Sequence, residues 1–277
     1  MVWRVGSGPD AVFVKRSPST TDYEREIQGY AYASRALAPH EAPRLLAADT
    51  DLQVIMTSLQ PGDVVRGLPL QAAAERRVYE LAGALLRRWH DHSAPASDQN
   101  LADTRASMSD QAQEATACLA STAEHLDTAQ RKLVQCVAEE LPQLTSGLPT
   151  VFRHGDYSTR NWMWHPTHGH GVIDFAMSAP GLAVEEFVWL CGAVWVVRPD
   201  LKAAYFSGYG RPLSDTEEWV LRLLTTRLGV SYLNSGLTKH ESALVERGHL
   251  ILTRIDTRVP VAVQASHILI QAQPLRR

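Results

Sequence analysis

The sequence predicts an α+β protein of two lobes, a small β-sheet lobe followed by a larger helical one. Three observations predict it. The first residues form two β-rich runs, MVWRV and AVFVKRS, separated by the turn-forming Gly6-Ser7-Gly8-Pro9-Asp10. From Leu70 to Leu141 the apolar residues recur instead at helical spacing. At 277 residues the chain exceeds the usual size of one domain and is long enough for a sizeable core.

Taken in order, Lys15 ends the second β-run, and residues 22–37 are expected to form a helix capped by Thr20 or Thr21. Ile27, Tyr30, Ala31 and Ala33 or Ser34 would supply its inner face. Pro43-Arg44-Leu45-Leu46 and then LQVIMTSLQPG lead through an apolar strand to a break at Pro61-Gly62. Ala74, Val78, Leu81, Ala82, Leu85, Leu86 and Trp89 mark a core helix between Leu70 and His92. A loop over residues 93–99 precedes a second helical zone, Leu101 to Leu141, broken near Leu126-Asp127-Thr128, where Asp127 or Thr128 can cap the next helix. Beyond the central stretch, Gly181 to Cys191 is expected to start an apolar helix carrying Glu185 and Glu186. Helical patterns follow at 214–233 and 239–258, and an apolar VPVAV and ILI tail closes the chain.

The chemistry concentrates in VFRHGDYSTRNWMWHPTHGHGVIDFAMS, residues 151–178. Val151-Phe152, Trp162-Met163-Trp164 and Val172-Ile173 are short strands around polar loops, and the last two would form a hairpin. That hairpin brings Asp174 back beside Asn161, thirteen positions earlier. One carboxylate and one amide on neighbouring loops can hold Mg²⁺, which takes a few hard oxygen ligands and keeps waters. Asp156 is then left for the substrate, five residues before the amide, as in kinases that use an aspartate to accept a hydroxyl proton.

HGDYSTRN resembles the HGDxxxxN signature of the aminoglycoside phosphotransferases and choline-kinase-like small-molecule kinases, and VIDF is similar to their metal-binding aspartate segment. His154, Gly155, Asp156 and Asn161 all match. The resemblance implies a bilobal protein-kinase-like fold, with residues 1–59 as a nucleotide-binding lobe and 60–277 as the catalytic and acceptor-binding lobe. It implies Asp156 as catalytic base, Mg²⁺ on Asn161 and Asp174, and Lys15 on the phosphates, paired with Glu26 as first choice or Glu24 as second. It places the lobe crossing, whose backbone would meet the base of ATP or GTP, at Thr57, Ser58 and Leu59, and Arg160 near the phosphates. His154 would support the loop. The family has a further strand and nucleotide-covering loop ahead of MVWRV, so the native start is expected upstream or the roof is abbreviated. Where the family carries a helix aspartate, this chain has Glu186.

Composition narrows the acceptor. Lys and Arg number 27 against 30 Asp and Glu, a net charge of −3, with no basic run to suit nucleic acid. No apolar run approaches membrane-spanning length. Cys118, Cys136 and Cys191 form no ligand or disulfide pattern and fit reduced thiols in a cytoplasm. The resemblance to antibiotic kinases implies a small cationic antibiotic as acceptor, either an aminoglycoside or a cyclic peptide of the tuberactinomycin (capreomycin and viomycin) type. Choline, homoserine or another metabolite is the competing acceptor, and a non-catalytic nucleotide-binding module the competing class.

Overall fold

The computed structural model describes residues 1–255. In chain order its elements are β1 (Val2–Val5), β2 (Val12–Arg16), α1 (Thr20–Ala36), β3 (Leu45–Asp49), β4 (Val54–Ser58), β5 (Asp63–Val64), α2 (Ala72–Asp91), α3 (Asp98–Thr122) and α4 (Thr128–Glu140). Then come β6 (Thr150–Arg153), β7 (Trp162–His165), β8 (Gly169–Val172), β9 (Ala179–Leu182), α5 (Val188–Leu190), α6 (Pro199–Tyr209), α7 (Asp215–Lys239) and α8 (Ser242–Arg254). The architecture is α+β, an N-terminal antiparallel sheet followed by a mainly helical remainder, as expected. The apolar VPVAV and ILI tail and the end of the 239–258 pattern lie outside the described residues.

The chain gathers into two compact units. The first comprises Met1–Leu101, Thr150–Glu186 and Arg198–Pro212. Its four-stranded sheet runs β1-β2-β4-β3, with Lys15 opposite Val2 on one side and Ile55 on the other. The three-stranded sheet β5-β7-β8 contains the expected hairpin, with Trp162 opposite Val172, and β6 pairs with β9. In this unit the backbones of α2 and α6 approach closely at two glycines. A Cβ on Gly208 would meet the Glu80 carbonyl oxygen at 1.7 Å, and one on Gly83 the Tyr205 oxygen at 2.0 Å. Both obstacles are backbone, so neither can swing aside.

The second unit comprises Ala102–Pro149, Phe187–Val197 and the chain from Leu213. Here α7 is the central helix, packed against α4 and α8. Capping boxes start both α4 and α7, with Asp127 and Gln130 in the first and Ser214 and Glu217 in the second. The buried indole of Trp219 donates to Glu140 at 2.8 Å and fixes the angle between α4 and α7.

Four local expectations differ from the structure. Ser19, not Thr20 or Thr21, caps α1, because its hydroxyl oxygen accepts from the Asp22 N–H at 3.1 Å. The buried residues of α1 are Tyr23, Glu26, Gly29, Tyr30, Tyr32 and Ala33, without Ile27 or Ala31, and Glu26 joins the inward face through its ion pair with Lys15. Gly181 and Leu182 end strand β9 instead of starting a helix, since Thr150 and Val151 capture them in a ladder. Helix α6, begun by Pro199 and stopped at Gly210 with φ +81°, went unread among aromatics that carry no clean period.

Replacing Gly208 with Ala tests the α2–α6 crossing. Helix propensity alone would favour Ala by about 1 kcal/mol. Steric overlap with the Glu80 backbone outweighs this, so Gly208→Ala should destabilise by ~1–3 kcal/mol. A lower urea midpoint at unchanged slope is the expected result.

Candidate active site

Two charged clusters form the site, joined by the backbone of Ile173. In the first, the Lys15 ammonium donates to Glu26 Oε1 at 2.9 Å and Asp174 Oδ1 at 2.7 Å. Strand β2 supplies the lysine, α1 the glutamate and the segment after β8 the aspartate. Glu26, the first choice, is therefore the partner, and Glu24 is not. Burial opposes charge on Lys15, but the Asp174 and Glu26 carboxylates outweigh it and hold its pKa above the ordinary lysine value. The two acids divide. Burial raises the Glu26 pKa despite Lys15, and its Oε2 is buried without a hydrogen-bond partner among the described residues. Asp174 is also disfavoured as an anion by burial, yet Lys15 prevails and its pKa is lowered. Its side chain is 45% exposed against 1% for Glu26, so the negative charge that Lys15 answers first is that of Asp174.

Asp174 also has φ +69°, a left-handed backbone unusual for a non-glycine residue. Such strain persists only where its surroundings impose it, and it gathers at functional sites. Phe175, the next residue, is fully buried and stacks on Trp89 with ring centroids 5.4 Å apart and planes 3° from parallel. Tyr30 of α1 meets Phe175 edge-on at 4.9 Å, while a Cβ on Gly29 would strike Phe175 Cβ at 2.3 Å. The bare glycine lets α1 approach closely enough for Glu26 to reach Lys15.

The second cluster is Asp156, Arg160 and Asn161. Arg160 donates through Nε at 3.0 Å and Nη2 at 2.8 Å to Asp156 Oδ2. Asn161 Nδ2 donates to the Asp156 carbonyl at 2.9 Å and to Oδ2 at 2.6 Å. With that nitrogen engaged, a cation would be met by Asn161 Oδ1. The Ile173 N–H donates to the Asn161 carbonyl at 3.0 Å, continuing the β7–β8 ladder and setting Asp174 one residue beyond it.

His154 and Glu186 hold this loop from beneath. His154 is fully buried, and its Nδ1 accepts from the Asp156 N–H at 3.3 Å, which leaves Nε2 to donate to the Ile173 carbonyl at 3.1 Å. It is a neutral strut, its pKa pushed down to about 4 chiefly by burial. Gly155 has φ +83°, and a Cβ there would meet the Met177 carbonyl oxygen at 2.0 Å, so only glycine fits. Glu186 Oε1 accepts from the N–H of both His154 and Gly155, the latter at 3.1 Å. Burial raises its pKa to about 7, against the pull of Arg153 and the two N–H groups.

A cavity of about 430 Å³ adjoins the first cluster. Lys15, Glu26 and Asp174 line it together with Thr57, Ser58 and Leu59, which follow along and after β4 from Ile55, the register partner of Lys15. Thr57 is buried and hydrogen-bonds the side chain of Tyr30. Asp156, Asn161 and Arg160 are not among the lining residues, so Arg160 faces Asp156 instead of the cavity. Tyr30, expected on the inner face of α1, and Met163, expected in a strand, also line it, as do Arg4 and Phe13, which the sequence did not mark as site residues. The alternation of Arg4 and Phe13 with Val2 and Lys15 along β1 and β2 was the available signal. Among the described residues no group of three or more His, Cys, Asp or Glu could cage a metal ion. The donor set of one carboxylate, Asp174, and one amide oxygen, Asn161, suits Mg²⁺, which needs few protein ligands and retains waters or takes phosphate oxygens.

Buried titratable groups make stability pH-dependent. His90 and His170 join His154 as buried neutral imidazoles, each pushed down to about 3, first by burial. Their unfolded-state pKa is near ~6.5, so below that pH the unfolded chain takes up protons the folded one refuses, and stability falls toward pH ~4. Glu186 acts oppositely. Folded, it keeps its proton to about pH 7. The unfolded state releases that proton near ~4.5, and stability therefore falls as pH rises between the two values. In Glu186→Gln, whose amide oxygen still accepts both N–H groups, that second loss vanishes. The variant should gain up to about 3 kcal/mol on its parent between pH 5 and 8, measured by chemical denaturation at each pH.

The model of the family described as phosphotransferase enzyme family, APH, matches residues 1–221. Among solved structures, aminoglycoside phosphotransferase APH(2'')-Ib with ADP superposes with a TM-score of 0.60 at 13% identity, over 92% of each chain. The GDP complex of aminoglycoside 2'-phosphotransferase-IIIa gives 0.59 at 14%, over 91% of each. Spectinomycin phosphotransferase APH(9)-Ia with ADP and spectinomycin gives 0.59 at 14%, over 96% of this chain and 89% of that one. At these identities the likeness is one of fold. No curated protein sequence matches significantly. Among the described residues no helix is long and apolar enough to cross a membrane. With the family model spanning most of the chain, this protein belongs to the phosphotransferase enzyme family as a nucleotide-dependent phosphotransferase.

Proposed function

We propose that this protein moves the γ-phosphoryl group of ATP or GTP to a hydroxyl of a small cationic antibiotic, an aminoglycoside or a tuberactinomycin-type peptide. The observation that carries the reading is Lys15, held between Glu26 and Asp174 and lining one cavity with Thr57, Ser58 and Leu59. Such a cavity suits a nucleotide whose base lies along the 57–59 backbone and whose phosphates meet the ammonium. Residues 1–59 then serve the nucleotide, and 60–277 serve catalysis and the acceptor.

Catalysis is mainly positioning and charge neutralisation. Lys15 binds phosphate oxygens, and Glu26 keeps its ammonium aimed. Asn161 and Asp174 would hold Mg²⁺, which when bound neutralises charge building on the phosphate oxygens. Asp156 orients the acceptor hydroxyl and takes its proton. Its carboxylate is pinned by Arg160, Asn161 and, through Oδ1, the Ser158 hydroxyl at 3.2 Å, so it needs little reordering as substrate arrives. Arg160, paired with Asp156 in the structure, would have to turn from it to add a positive charge on the phosphate side.

The cationic antibiotic class is supported by family membership and by what the relatives' structures contain, gentamicin in one and spectinomycin in another. The net charge of −3 and the lack of a basic run agree with it. Incubation of a panel of acceptors with ATP and GTP, with mass detection of a phosphate adduct, tests the class. A panel in which only neutral metabolites are modified would reject it.

Asp156→Asn should lower turnover ~10²–10⁴-fold, the usual worth of a positioned base. Nucleotide affinity should change little, since Asp156 stands apart from the cavity lining. Near-normal turnover in the folded variant would remove Asp156 from its role. If the acceptor is cationic, its KM should rise with ionic strength more than the nucleotide KM does, because partly exposed charge pairs are screened by salt. Steady-state kinetics across a salt series reads this directly.

A further inference from the structure

We infer that Arg4 and Phe13 form a stacking roof for the purine base, with Arg4 the residue that grips it. The inference rests on the nucleotide reading of the cavity and adds the residue that holds the base. Arg4 and Phe13 are register partners across β1 and β2, and Phe13 is in turn opposite Thr57 of β4. At the other end of the same ladder Val2 is opposite Lys15, which is opposite Ile55. All six side chains line the cavity, so they share one face of the sheet. A strand advances ~3.3 Å per residue, which sets the Arg4–Phe13 level about 6–7 Å from Lys15 toward the Thr57–Leu59 end. Arg4 thus stands over the place where the base lies, while Lys15 stands over the phosphates. Met163 and Ile173, both apolar, line the cavity as well and complete a slot for a flat ring.

The chemistry of Arg4 suits that place. Lys15 already answers two carboxylates, whereas among the described residues Arg4 forms no ion pair and sits exposed on an edge strand. A guanidinium is planar and weakly hydrated, and it lies flat on aromatic faces, which an ammonium cannot do. Every nucleobase has a π-face, so such a roof takes adenine and guanine alike.

The test separates base from phosphate. Binding of adenosine, ADP and inorganic tripolyphosphate is measured by calorimetry for the parent, Arg4→Ala and Arg4→Lys. Arg4→Ala should weaken adenosine and ADP by the same factor, ~3–30-fold, and leave tripolyphosphate unchanged. Arg4→Lys should fail to restore the loss, because it returns charge without the plane. Loss on ADP and tripolyphosphate with adenosine unaffected would make Arg4 a phosphate ligand and overturn the roof, as would rescue by lysine or no loss at all. Parent protein that binds neither adenosine nor ADP would instead overturn the nucleotide reading itself. The side chain is exposed, and thermal unfolding of each variant checks that the sheet is intact.

Discussion

The site depends on one lysine shared by two acids. Lys15 lies 11 residues from Glu26 and 159 from Asp174, so the double ion pair forms only when β2, α1 and the segment after β8 are all in place. Glu26 is almost wholly buried, and an unanswered carboxylate there would be costly. Removing one partner of a buried pair generally costs about 3–5 kcal/mol. The contact therefore does two things. It aims the ammonium, and it reports whether the helix, the strand and the loop are correctly assembled.

Apolar packing supplies the precision that the ion pair needs. Phe175 sits directly after Asp174 and is clasped by Trp89, Tyr30 and His154. Such a ring cluster tolerates little displacement, since aromatic pairs favour particular geometries. Trp89 is tied in turn to the strand leading to Asp156, its indole donating to the Phe152 carbonyl at 2.7 Å. Position is thus passed from a hydrophobic centre outward to Asp174 on one side and to His154 and Asp156 on the other. Neutral His154 suits this task, because a charged imidazole would have both nitrogens as donors and could not accept from the Asp156 N–H.

Much of this was legible in the residues, for reasons that differ by element. The strands β1, β2 and β4 and the helices α2 and α4 carry strong periods and turn or cap chemistry, so their place could be read locally. Asp156, Asn161 and Asp174 stood out because their spacing and flanking apolar runs are uncommon together. Contacts between distant segments were harder. Glu26 turns inward against the hydrophobic pattern of α1, and only its partner Lys15 explains why. Gly29 reads as a helix-weakening residue until Phe175 is seen beneath it. Gly181 and Leu182 could begin a helix or end a strand, and the choice was made by β6, thirty residues away. Arg4 carries no signal in the sequence, and its place follows only from its register with Phe13, which is itself opposite Thr57.

The charges in the two clusters are arranged so that none waits unanswered for a substrate. Lys15 and Asp174 satisfy each other, as do Arg160 and Asp156, with Asn161 bonded to Asp156 as well. On the proposed roles, a nucleotide arriving with its cation must compete for these partners. Asp174 would be the carboxylate offered to the cation, and Lys15 would then be free to turn toward phosphate. Glu26 has no part in that exchange, because burial keeps it from solvent and, among the described residues, Lys15 is its ion-pair partner. It is therefore the fixed anchor of the pair, and Asp174, more exposed and held in a strained backbone, is the member free to change partners. The division explains why two carboxylates on one lysine are shifted in opposite directions, Glu26 upward by burial and Asp174 downward because Lys15 outweighs it.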